Sequence, residues 1–455
     1  MKHPAWTRRD FIRVGTGATA AGVAAKFTLL EPKPIWASPN PVPPSDTVRF
    51  ASIGTGVRGC ELLQASLHVP GVQCVAACDL YDSRHTAAQE SVKNPSLPTT
   101  RKHQEILDRK DVDAVIIAVP DHWHRKIFED ACAAGKDVYC EKPMSHKVED
   151  GFAMIAAAQK YNRIAQVGSQ RVSSIIYAQA KQMLESGKLG KVYSIEAYWD
   201  RNSPSGAWVY PIPPDASPET IDWNTFLGDA PKRAFSKERF FRWRCFTDYG
   251  EGLAGDLFVH LISGIHFITG GDKTNDIVAS RAQSTGGLYH FKDGRDFPDL
   301  IETLYDYPDF RVYLRCNLNN DQGEFIGFYG TEGTAIIRGA TLTFTPQDTR
   351  PQPEAYSIYG WPAKLRDQYL ADFQKEHPLS DVTINEATEV FGVPQGYSDL
   401  VDHQAHFFSA VRTRNKVVEN EEFGNHAAIG CHLANYSYFN NKPAMWDAAN
   451  KRITG

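Results

Sequence analysis

The sequence lacks the features that mark nucleic-acid-binding, metal-binding and disulfide-stabilised proteins. Its 455 residues carry a formal net charge of −5. Since no block of Lys or Arg occurs beyond the N-terminus, neither nucleic acid nor an acidic membrane surface is an expected partner. The eight cysteines form no CxxC pair and lie mostly in strand-like or helix-like runs, which favours buried thiols over structural disulfides. No internal repeat or low-complexity tract is present.

Residues 1–44 are interpreted as a targeting segment and a Pro-rich linker, outside the fold. "TRRDFI" (7–12) resembles the twin-arginine export signal, which moves folded proteins across a membrane. The alternatives are a signal for export of the unfolded chain, or a basic N-terminal segment that is not a targeting signal. The small-residue run that follows is Gly/Ala-rich and interrupted by Lys26, which argues against a membrane-spanning helix. The expected location is therefore periplasmic or otherwise exported, with no membrane contact beyond export.

Residues 45–170 alternate between continuous apolar runs and helix-like stretches. "VRFASI", "VQCVAACD", "VDAVIIAV", "DVYCE" and "RIAQVG" read as buried strands. Strands with almost no polar face, separated by helices, are typical of a parallel sheet covered on both sides. This region is predicted to be a doubly wound α/β domain of the Rossmann type.

Residues 171–455 have a different pattern, in which strands alternate between polar and apolar positions. "VYSIEAYW" puts Tyr193, Ile195, Ala197 and Trp199 on one face, and "FRVYLRC" alternates in the same way. Half-buried strands predict a second α/β domain with a large open, mostly antiparallel sheet. The Pro- and Trp-rich stretch 203–231 is expected to be irregular, and the tail helical.

A glycine-rich loop follows the first predicted strand. It consists of Gly54, Thr55, Gly56, Val57, Arg58 and Gly59, a GxGxxG pattern at the start of a helix. The glycines allow a tight turn, a close approach to a pyrophosphate and close helix packing, and the helix N-terminus supplies N–H donors. A glycine-rich turn in an α/β domain without a ligand is the alternative.

Asp79 strengthens the nucleotide prediction, since it ends the second strand 20 residues beyond Gly59. A carboxylate there accepts hydrogen bonds from the adenosine ribose and repels a 2′-phosphate, so NAD is favoured over NADP. Arg58 and Arg84 lie close enough in sequence to soften that preference.

Two further motifs contain candidate catalytic residues. "YCEKPMS" puts Lys142 in a turn beyond the carboxyl end of a parallel strand, the edge where ligands bind in open α/β sheets. "GEGLAGDLFVHLISG" puts Asp256 and His260 four residues apart, on one face of a helix. Taken alone, Lys142 is also consistent with an ordinary solvent-exposed lysine in a turn. His260 alone is also consistent with a core histidine whose ring nitrogens are hydrogen-bonded.

Together these motifs resemble the glucose-fructose oxidoreductase, inositol dehydrogenase and rhizopine catabolism (Gfo/Idh/MocA) family. The resemblance runs from Val48 to the C-terminus and rests on "GTGVRG", "AVPDHWH", "EKP", "VGSQR", the Asp256/His260 spacing, "GTEG" and "MWD". It implies a Rossmann domain followed by an α/β domain whose open sheet often forms the oligomer interface. A homo-oligomer is therefore expected.

The resemblance also implies roles for individual residues around a cofactor cleft. Cofactor contacts are expected from Pro120, Asp121, His124, Glu141, Lys142 and Gln170, and a substrate contact from Arg171. His122 and His124 lack a second ligand pair, so no metal is expected.

The resemblance places Lys142 between the nicotinamide and the reacting hydroxyl, where its charge favours an alkoxide-like oxygen. His260 is the expected general base, since an unperturbed imidazole titrates near ~6.5. Asp256 would bind a neighbouring hydroxyl or orient the pair, and Tyr249 is a rival base.

Aromatic residues are frequent just before Asp256. Flat rings with a polar tip suit the C–H faces of sugars, although several of them could simply fill a core. Trp199 and Trp243 are the candidates for substrate contact; the others in this region are Trp208, Tyr210 and Trp223.

Three functions follow from these expectations. The first is an exported NAD-dependent oxidoreductase of a sugar, polyol or glycoside that carries its cofactor tightly bound, because no NAD pool exists outside the cytoplasm. The second is a redox-neutral glycosidase or glycoside lyase similar to glycoside hydrolase family 109. The third, a sugar-binding protein without activity, is disfavoured by the presence of Lys142, Asp256 and His260.

Overall fold

The computed structural model describes residues 25–31, 46–274, 277–348, 351–377 and 388–455. The twin-arginine motif predicted at 7–12 lies outside the described residues. Strand β1 (Lys26–Leu29) belongs to a second sheet described below. The first sheet contains, within the described chain, β2 (Val48–Ile53), β3 (Val72–Cys78), β4 (Thr99–Thr100), β5 (Ala114–Ile117), β6 (Asp137–Cys140) and β7 (Ala165–Val167).

All neighbouring strands of the first sheet are parallel, in the order β4-β3-β2-β5-β6-β7. This is the doubly wound order in which the crevice between β2 and β5 opens at the carboxyl edge. The strands are buried almost throughout, as their continuous apolar runs predict. The helices between them are α1 (Val57–Leu67), α2 (Asp82–Ser91), α3 (His103–Leu107), α4 (His124–Ala133) and α5 (Val148–Tyr161).

The second sheet follows helix α6 (Ile175–Glu185). Its remaining strands are β8 (Val192–Asp200), β9 (Arg281–Gly287), β10 (Leu300–Asp306), β11 (Arg311–Asn317), β12 (Gly323–Gly330), β13 (Gly333–Arg338), β14 (Thr341–Pro346), β15 (Glu389–Gly392), β16 (Ala444–Asp447) and β17 (Arg452–Thr454). Their order is β1-β15-β14-β13-β12-β8-β11-β10-β9-β16-β17, antiparallel except for the pairs β1/β15 and β8/β11. The predicted fold class, a Rossmann sheet followed by a large, mostly antiparallel open sheet, is confirmed.

Residues between β8 and β9 contain the shorter elements that build the site. They are α7 (Trp223–Leu227), α8 (Lys237–Phe241), a π-helical turn (Ala254–Phe258), α9 (Val259–Ile268) and α10 (Gly271–Thr274). Helix α11 (Ala363–Glu376) follows β14, and the tail contains α12 (Asp399–Thr413) and α13 (Glu421–Asn440).

The face assignment for β8 is wrong at Tyr193. Ile195 and Ala197 are fully buried, whereas Tyr193 is 55% exposed. The register with β12 shifts there, because Tyr329 pairs with Ser194 but Gly330 pairs with Val192. Tyr193 is thus the extra residue of a β-bulge, which a period-two pattern does not reveal.

The chain returns to the first domain near its end. Phe407 and Phe408 of α12 pack with Phe50 of β2, and Gln404 accepts a hydrogen bond from Ser66 of α1. Apart from edge strand β1, a boundary near residue 170 therefore separates the sheets but not every helix. Residues 26–29, expected to lie outside the fold, pair with β15 as an edge strand.

All eight cysteines are free thiols, and seven of them are buried. In the described part of the chain, no helix has both the length and the apolar character needed to cross a membrane.

Candidate active site

A cavity of about 770 Å³ lies at the carboxyl edge of the first sheet, between that sheet and the second domain. Such a volume is in the range of cofactor and substrate sites. The residues predicted from sequence that line it are Gly54, Thr55, Gly56, Val57, Arg58, Asp79, Pro120, Asp121, Glu141, Lys142, Gln170, Trp199, Trp243, Asp256 and His260.

The glycine loop is built so that backbone approaches backbone closely. Gly54 has a φ of +90°, and a Cβ there would lie 2.4 Å from the Ala118 carbonyl oxygen. A Cβ at Gly59 would lie 2.1 Å from the Gly54 carbonyl oxygen, so α1 packs directly on the loop. Helix α1 begins after Gly56 with no side-chain cap, which leaves its first N–H groups available to a phosphate. This cradle fits a dinucleotide.

Asp79 fastens the glycine loop to the end of β3. Its carboxylate is buried and accepts hydrogen bonds from the Thr55 N–H at 2.8 Å and the Tyr81 N–H at 3.0 Å. Arg84 lies 3.4 Å from the same carboxylate. Asp79 therefore shapes the loop in addition to facing the cavity.

Arg58 connects the loop to the strand ends opposite it. Its Nε donates to Glu141 at 2.7 Å and its Nη2 donates to Gln170 at 3.1 Å. Glu141 also accepts the N–H of Lys142 at 3.2 Å. These contacts join the glycine loop to the turn that carries Lys142.

Lys142 and Asp256 form an ion pair in the cavity wall. The Nζ atom of Lys142 lies 2.8 Å from Oδ1 of Asp256 and donates to the Asp256 carbonyl at 3.0 Å. Although burial opposes ionisation, the charges of Lys142, Arg244 and Arg201 hold the pKa of Asp256 well below its ordinary value. Asp256 is therefore a carboxylate that orients the lysine.

Two arginines and a tryptophan complete the surroundings of Asp256. Arg244 Nε lies at 3.1 Å, Arg201 Nη2 at 3.2 Å, and the Trp208 indole N–H donates at 3.1 Å. Trp208 is fully buried and has a φ of +60°, an unusual conformation for a bulky residue. Its indole binds Asp256 and does not line the cavity.

His260 lies one turn beyond Asp256, with its ring centroid 5.4 Å from that of Trp199. Its Nδ1 is buried and has no hydrogen-bond partner among the described residues. Burial, followed by the positive charges of Lys142 and Arg171, lowers the pKa of His260 well below its ordinary value. The imidazole is therefore neutral at physiological pH and is able to accept a proton, but it does not have the unperturbed pKa that the sequence suggested.

Four predicted site residues do not line the cavity: Gly59, where α1 packs on the loop, and Tyr249, His124 and Arg171. Tyr249 is fully buried among the rings of His122, Phe226 and Phe246 and does not line the cavity, and its role as a rival base stays a prediction. His124 is also fully buried, and its ring nitrogens contact the carbonyls of Pro143 at 2.8 Å and Val119 at 3.0 Å. It braces the turn next to Lys142, and its expected contact with the cofactor stays a prediction.

Arg171 also lies outside the cavity lining. Its guanidinium donates to Glu324 at 2.6 Å and to Asp399 at 2.8 Å, behind the Trp199 ring. These two carboxylates occupy its donors, so the predicted substrate contact is corrected to a supporting one. Trp223 likewise stacks on Phe226 in the core.

The irregular region contains a feature that sequence reasoning missed. Residues 210–248, here called the clamp segment, fold back over the end of β3 and line the cavity with Tyr210, Phe240 and Phe241. Both the Tyr81 and Ser83 hydroxyls donate to the Asp215 carboxylate.

Backbone bonds fix the clamp segment as well. The Asp82 N–H donates to Thr220, and the Asp222 N–H donates to Leu80, at 3.1 and 2.9 Å. Arg84 lies 5.3 and 5.6 Å from the ring centroids of Phe240 and Phe241. The clamp segment therefore covers the side of the cavity next to Asp79.

Arg201 and Arg244 were also missed by sequence reasoning. Each is next or nearly next to a tryptophan in sequence, Trp199 and Trp243, and that proximity was the available signal.

In the described residues no group of three His, Cys, Asp or Glu side chains is arranged to hold a metal ion.

This geometry defines a two-domain α/β protein with a dinucleotide cradle and a Lys–Asp–His cluster in one cavity. Two family descriptions match the chain: "Oxidoreductase family, NAD-binding Rossmann fold" over residues 48–169 and "Oxidoreductase family, C-terminal alpha/beta domain" over residues 180–292. Together they span more than half of the sequence. The chain belongs to the Gfo/Idh/MocA oxidoreductase family.

Individual relatives are distant. A glycosyl hydrolase family 109 protein of Shewanella sp. (strain MR-4) is 28% identical over 170 residues, 34% of this chain and 37% of that protein. An alpha-N-acetylgalactosaminidase of Shewanella oneidensis is 26% identical over 232 residues, 44% of this chain and 49% of that protein. The chain thus matches about a third to a half of the length of these curated relatives.

Solved structures share the fold at low identity. A levoglucosan dehydrogenase in complex with NADH and levoglucosan has a TM-score of 0.61 and 18% identity, covering 90% of this chain and 99% of that chain. An oxidoreductase domain protein from Kribbella flavida has a TM-score of 0.62 and 18% identity, covering 87% and 98%.

Proposed function

We propose that the protein is an NAD-dependent oxidoreductase that oxidises a hydroxyl group of a sugar, polyol or glycoside. The observation that carries the proposal is the meeting of Lys142, Asp256 and His260 in the cavity that the glycine loop lines. A bound nicotinamide supplies the hydride acceptor in such chemistry. The names of the levoglucosan dehydrogenase neighbours agree with this reaction class.

Different residues of this chain have different roles around the reacting hydroxyl. Lys142, held by Asp256 at 2.8 Å, presents a positive charge that stabilises an alkoxide-like oxygen. Neutral His260 accepts the hydroxyl proton. Trp199 and Trp243 form flat walls against which a sugar ring packs.

A panel of sugars and nitrophenyl glycosides tests the reaction class. Reduction of the bound NAD to NADH by one sugar supports the proposal, and no reaction with any member of the panel argues against it. Lys142→Met is expected to lower turnover by ~10²–10⁴. Lys147→Met is the matched control, because Lys147 lies in the same turn but is exposed to solvent.

The second candidate is a redox-neutral glycosidase or glycoside lyase. It is favoured by the names of the curated relatives, which include glycosyl hydrolase family 109 proteins. Release of nitrophenol without net NADH identifies this reaction, whereas a dehydrogenase produces NADH and leaves the glycosidic bond intact. The same panel separates the two.

The cofactor is proposed to be NAD, held tightly. Asp79 disfavours a 2′-phosphate, and the clamp segment supports slow release because it covers the neighbouring side of the cavity. Titration of the protein with NAD and NADP tests the choice, and tighter binding of NADP would contradict it.

Export by the twin-arginine pathway is proposed from "TRRDFI" at 7–12. A tightly held cofactor is consistent with it, because such a protein folds around NAD before it leaves the cytoplasm. Cell fractionation of the wild type and of the Arg8→Lys/Arg9→Lys variant tests the route. Equal amounts of both in the exported fraction would exclude it.

A further inference from the structure

The substrate end of the cavity has more positive than negative charge. Lys142, Arg201 and Arg244 all surround one carboxylate, Asp256, at distances of 2.8, 3.2 and 3.1 Å. A single carboxylate neutralises only one of these three charges. A bare excess of cations in a partly buried cavity is costly unless a ligand compensates it.

Other acidic side chains near this end do not remove the excess. Asp121 is buried, and its Oδ2 accepts the Glu251 N–H at 3.1 Å; even when it is ionised, three cations face two carboxylates. The carboxylate of Glu251 is paired with His432 and Asn435. Glu141 is paired with Arg58.

Both arginines retain unused donors. Arg244 binds Asp256 through Nε alone, so its two terminal nitrogens have no hydrogen-bond partner in the described part of the chain. Arg201 uses Nη2 for Asp256, and its Nε is buried without a partner among the described residues. Donors of this kind match the oxygens of a carboxylate or a phosphate.

Aromatic rings hold both guanidinium groups in place. Arg244 lies 4.2 Å from the ring centroid of Trp243, and Arg201 lies 5.9 Å from the centroids of both Trp199 and Trp208. The side chains of Arg201 and Arg244 are 25% and 23% exposed, and both line the cavity. The two arginines are therefore preorganised and open to a ligand.

We propose that the substrate is an acidic sugar, whose carboxylate or phosphate group binds Arg201 and Arg244 while its reacting hydroxyl faces Lys142 and His260. This inference rests on the proposed function, because it names the substrate class of the same site. It goes beyond the family assignment, which specifies no charge on the substrate.

Binding of matched sugars to the NAD-loaded protein tests the inference. Calorimetry compares D-glucuronate with D-glucose and D-galacturonate with D-galactose, and D-glucose 6-phosphate shows whether the acid is a phosphate ester. At least one acidic sugar is expected to bind roughly 10- to 150-fold more tightly than its neutral partner. Turnover is followed in parallel as NADH formation.

Arg244→Gln is expected to lower the ratio of acidic-sugar to neutral-sugar affinity toward one, because it removes one of the two arginines that bind the acidic group. Arg233→Gln is the matched control, because Arg233 pairs with Asp248, is half-exposed and does not line the cavity. A folding defect in Arg244→Gln does not prevent the test, since the wild-type comparison stands alone.

Failure of this inference differs from failure of the proposed function. Equal binding and oxidation of neutral and acidic sugars, or no binding of any acidic probe, overturns the charged-substrate inference. Selective binding of an acidic sugar without NADH formation or aglycone release supports it and counts against the proposed function.

Discussion

At the scale of single residues, the ionisation of His260 is set by its neighbours. An imidazole four residues after an aspartate reads as a base with an ordinary pKa, but burial and the charges of Lys142 and Arg171 lower that pKa well below 6.5. The four-residue spacing gives no information on Lys142, which only the family resemblance placed at the same hydroxyl as His260. Tyr249 is likewise kept out of the cavity by tertiary packing, because the rings of His122, Phe226 and Phe246 surround it.

The acidic limb of the kcat profile is expected to lie well below pH 6.5. His260 must be neutral to accept a proton, and a lowered pKa keeps it neutral at more acidic pH. A profile of kcat against pH checks this, and an acidic inflection at or above pH 6.5 would contradict it.

His260→Ala is expected to lower kcat by ~10²–10⁴ while NAD still binds. The glycine loop holds the cofactor independently of the imidazole, so binding and turnover separate. Steady-state kinetics and NAD titration measure the two effects. A rate near that of the wild type would refute the assignment of the base.

Gly54 tests the cradle at the same scale. Gly54→Ala is expected to abolish NAD binding, because φ is +90° and the new Cβ would lie 2.4 Å from the Ala118 oxygen. Gly135→Ala is the matched control: Gly135 has a φ of +78° but open space around it. The control is expected to cost about 1–2 kcal/mol of unfolding free energy and to retain NAD binding. Thermal unfolding and calorimetric titration of both variants would show whether the close contact is what matters.

At the scale of elements, periodicity predicted the strands and helices but not the course of the irregular segments. The buried strands β2, β3, β5, β6 and β7 and the alternating strand β11 follow directly from apolar runs and alternation. The Pro- and Trp-rich stretch offered no period, so its course over Asp79 was not predictable. Its contacts are long-range bonds such as Asp222 to Leu80.

Asp215→Ala is expected to speed NAD release. The Asp215 carboxylate accepts both the Tyr81 and Ser83 hydroxyls, which join the clamp segment to α2 and its N-terminus. Since one of these bonds is exposed and the other is only partly buried, we expect an increase of about three- to tenfold in the dissociation rate. Displacement of bound NADH, followed by fluorescence, measures it.

Asp229→Ala is the control for the clamp segment, because Asp229 is exposed in the same segment and does not line the cavity. Unchanged release from Asp215→Ala would show that the clamp segment does not govern cofactor exchange. Faster release from both variants would point to a general loosening of the fold.

At the scale of the whole molecule, the second sheet has one covered and one open face. Ile301 and Tyr305 of β10 are buried, whereas Leu304 on the other face is 57% exposed. Tyr198 and Phe325 stack on that face with centroids 4.8 Å apart. A broad face of this composition fits self-association.

The protein is expected to form a homo-oligomer through this open face. Leu304→Lys places a charge in it and should shift the mass toward that of the 50.8 kDa monomer. Leu365→Lys is the control, since Leu365 is 54% exposed and lies on helix α11, not on a strand of the sheet. Light scattering after size exclusion measures the mass, and a monomeric wild type would contradict the expectation.

The amino-acid sequence by itself determined the local structure and the nucleotide loop of this protein. Three features depend only on residues close together in the sequence: periodicity, the φ requirement at Gly54 and the position of Asp79 after a strand. Such features are visible in the sequence itself. Only the tertiary structure decided which side chains share the cavity. Arg201 and Arg244 join Lys142 around Asp256, while Arg171 and His124 turn away, because burial, charge pairing and the path of the clamp segment depend on residues far apart in the chain.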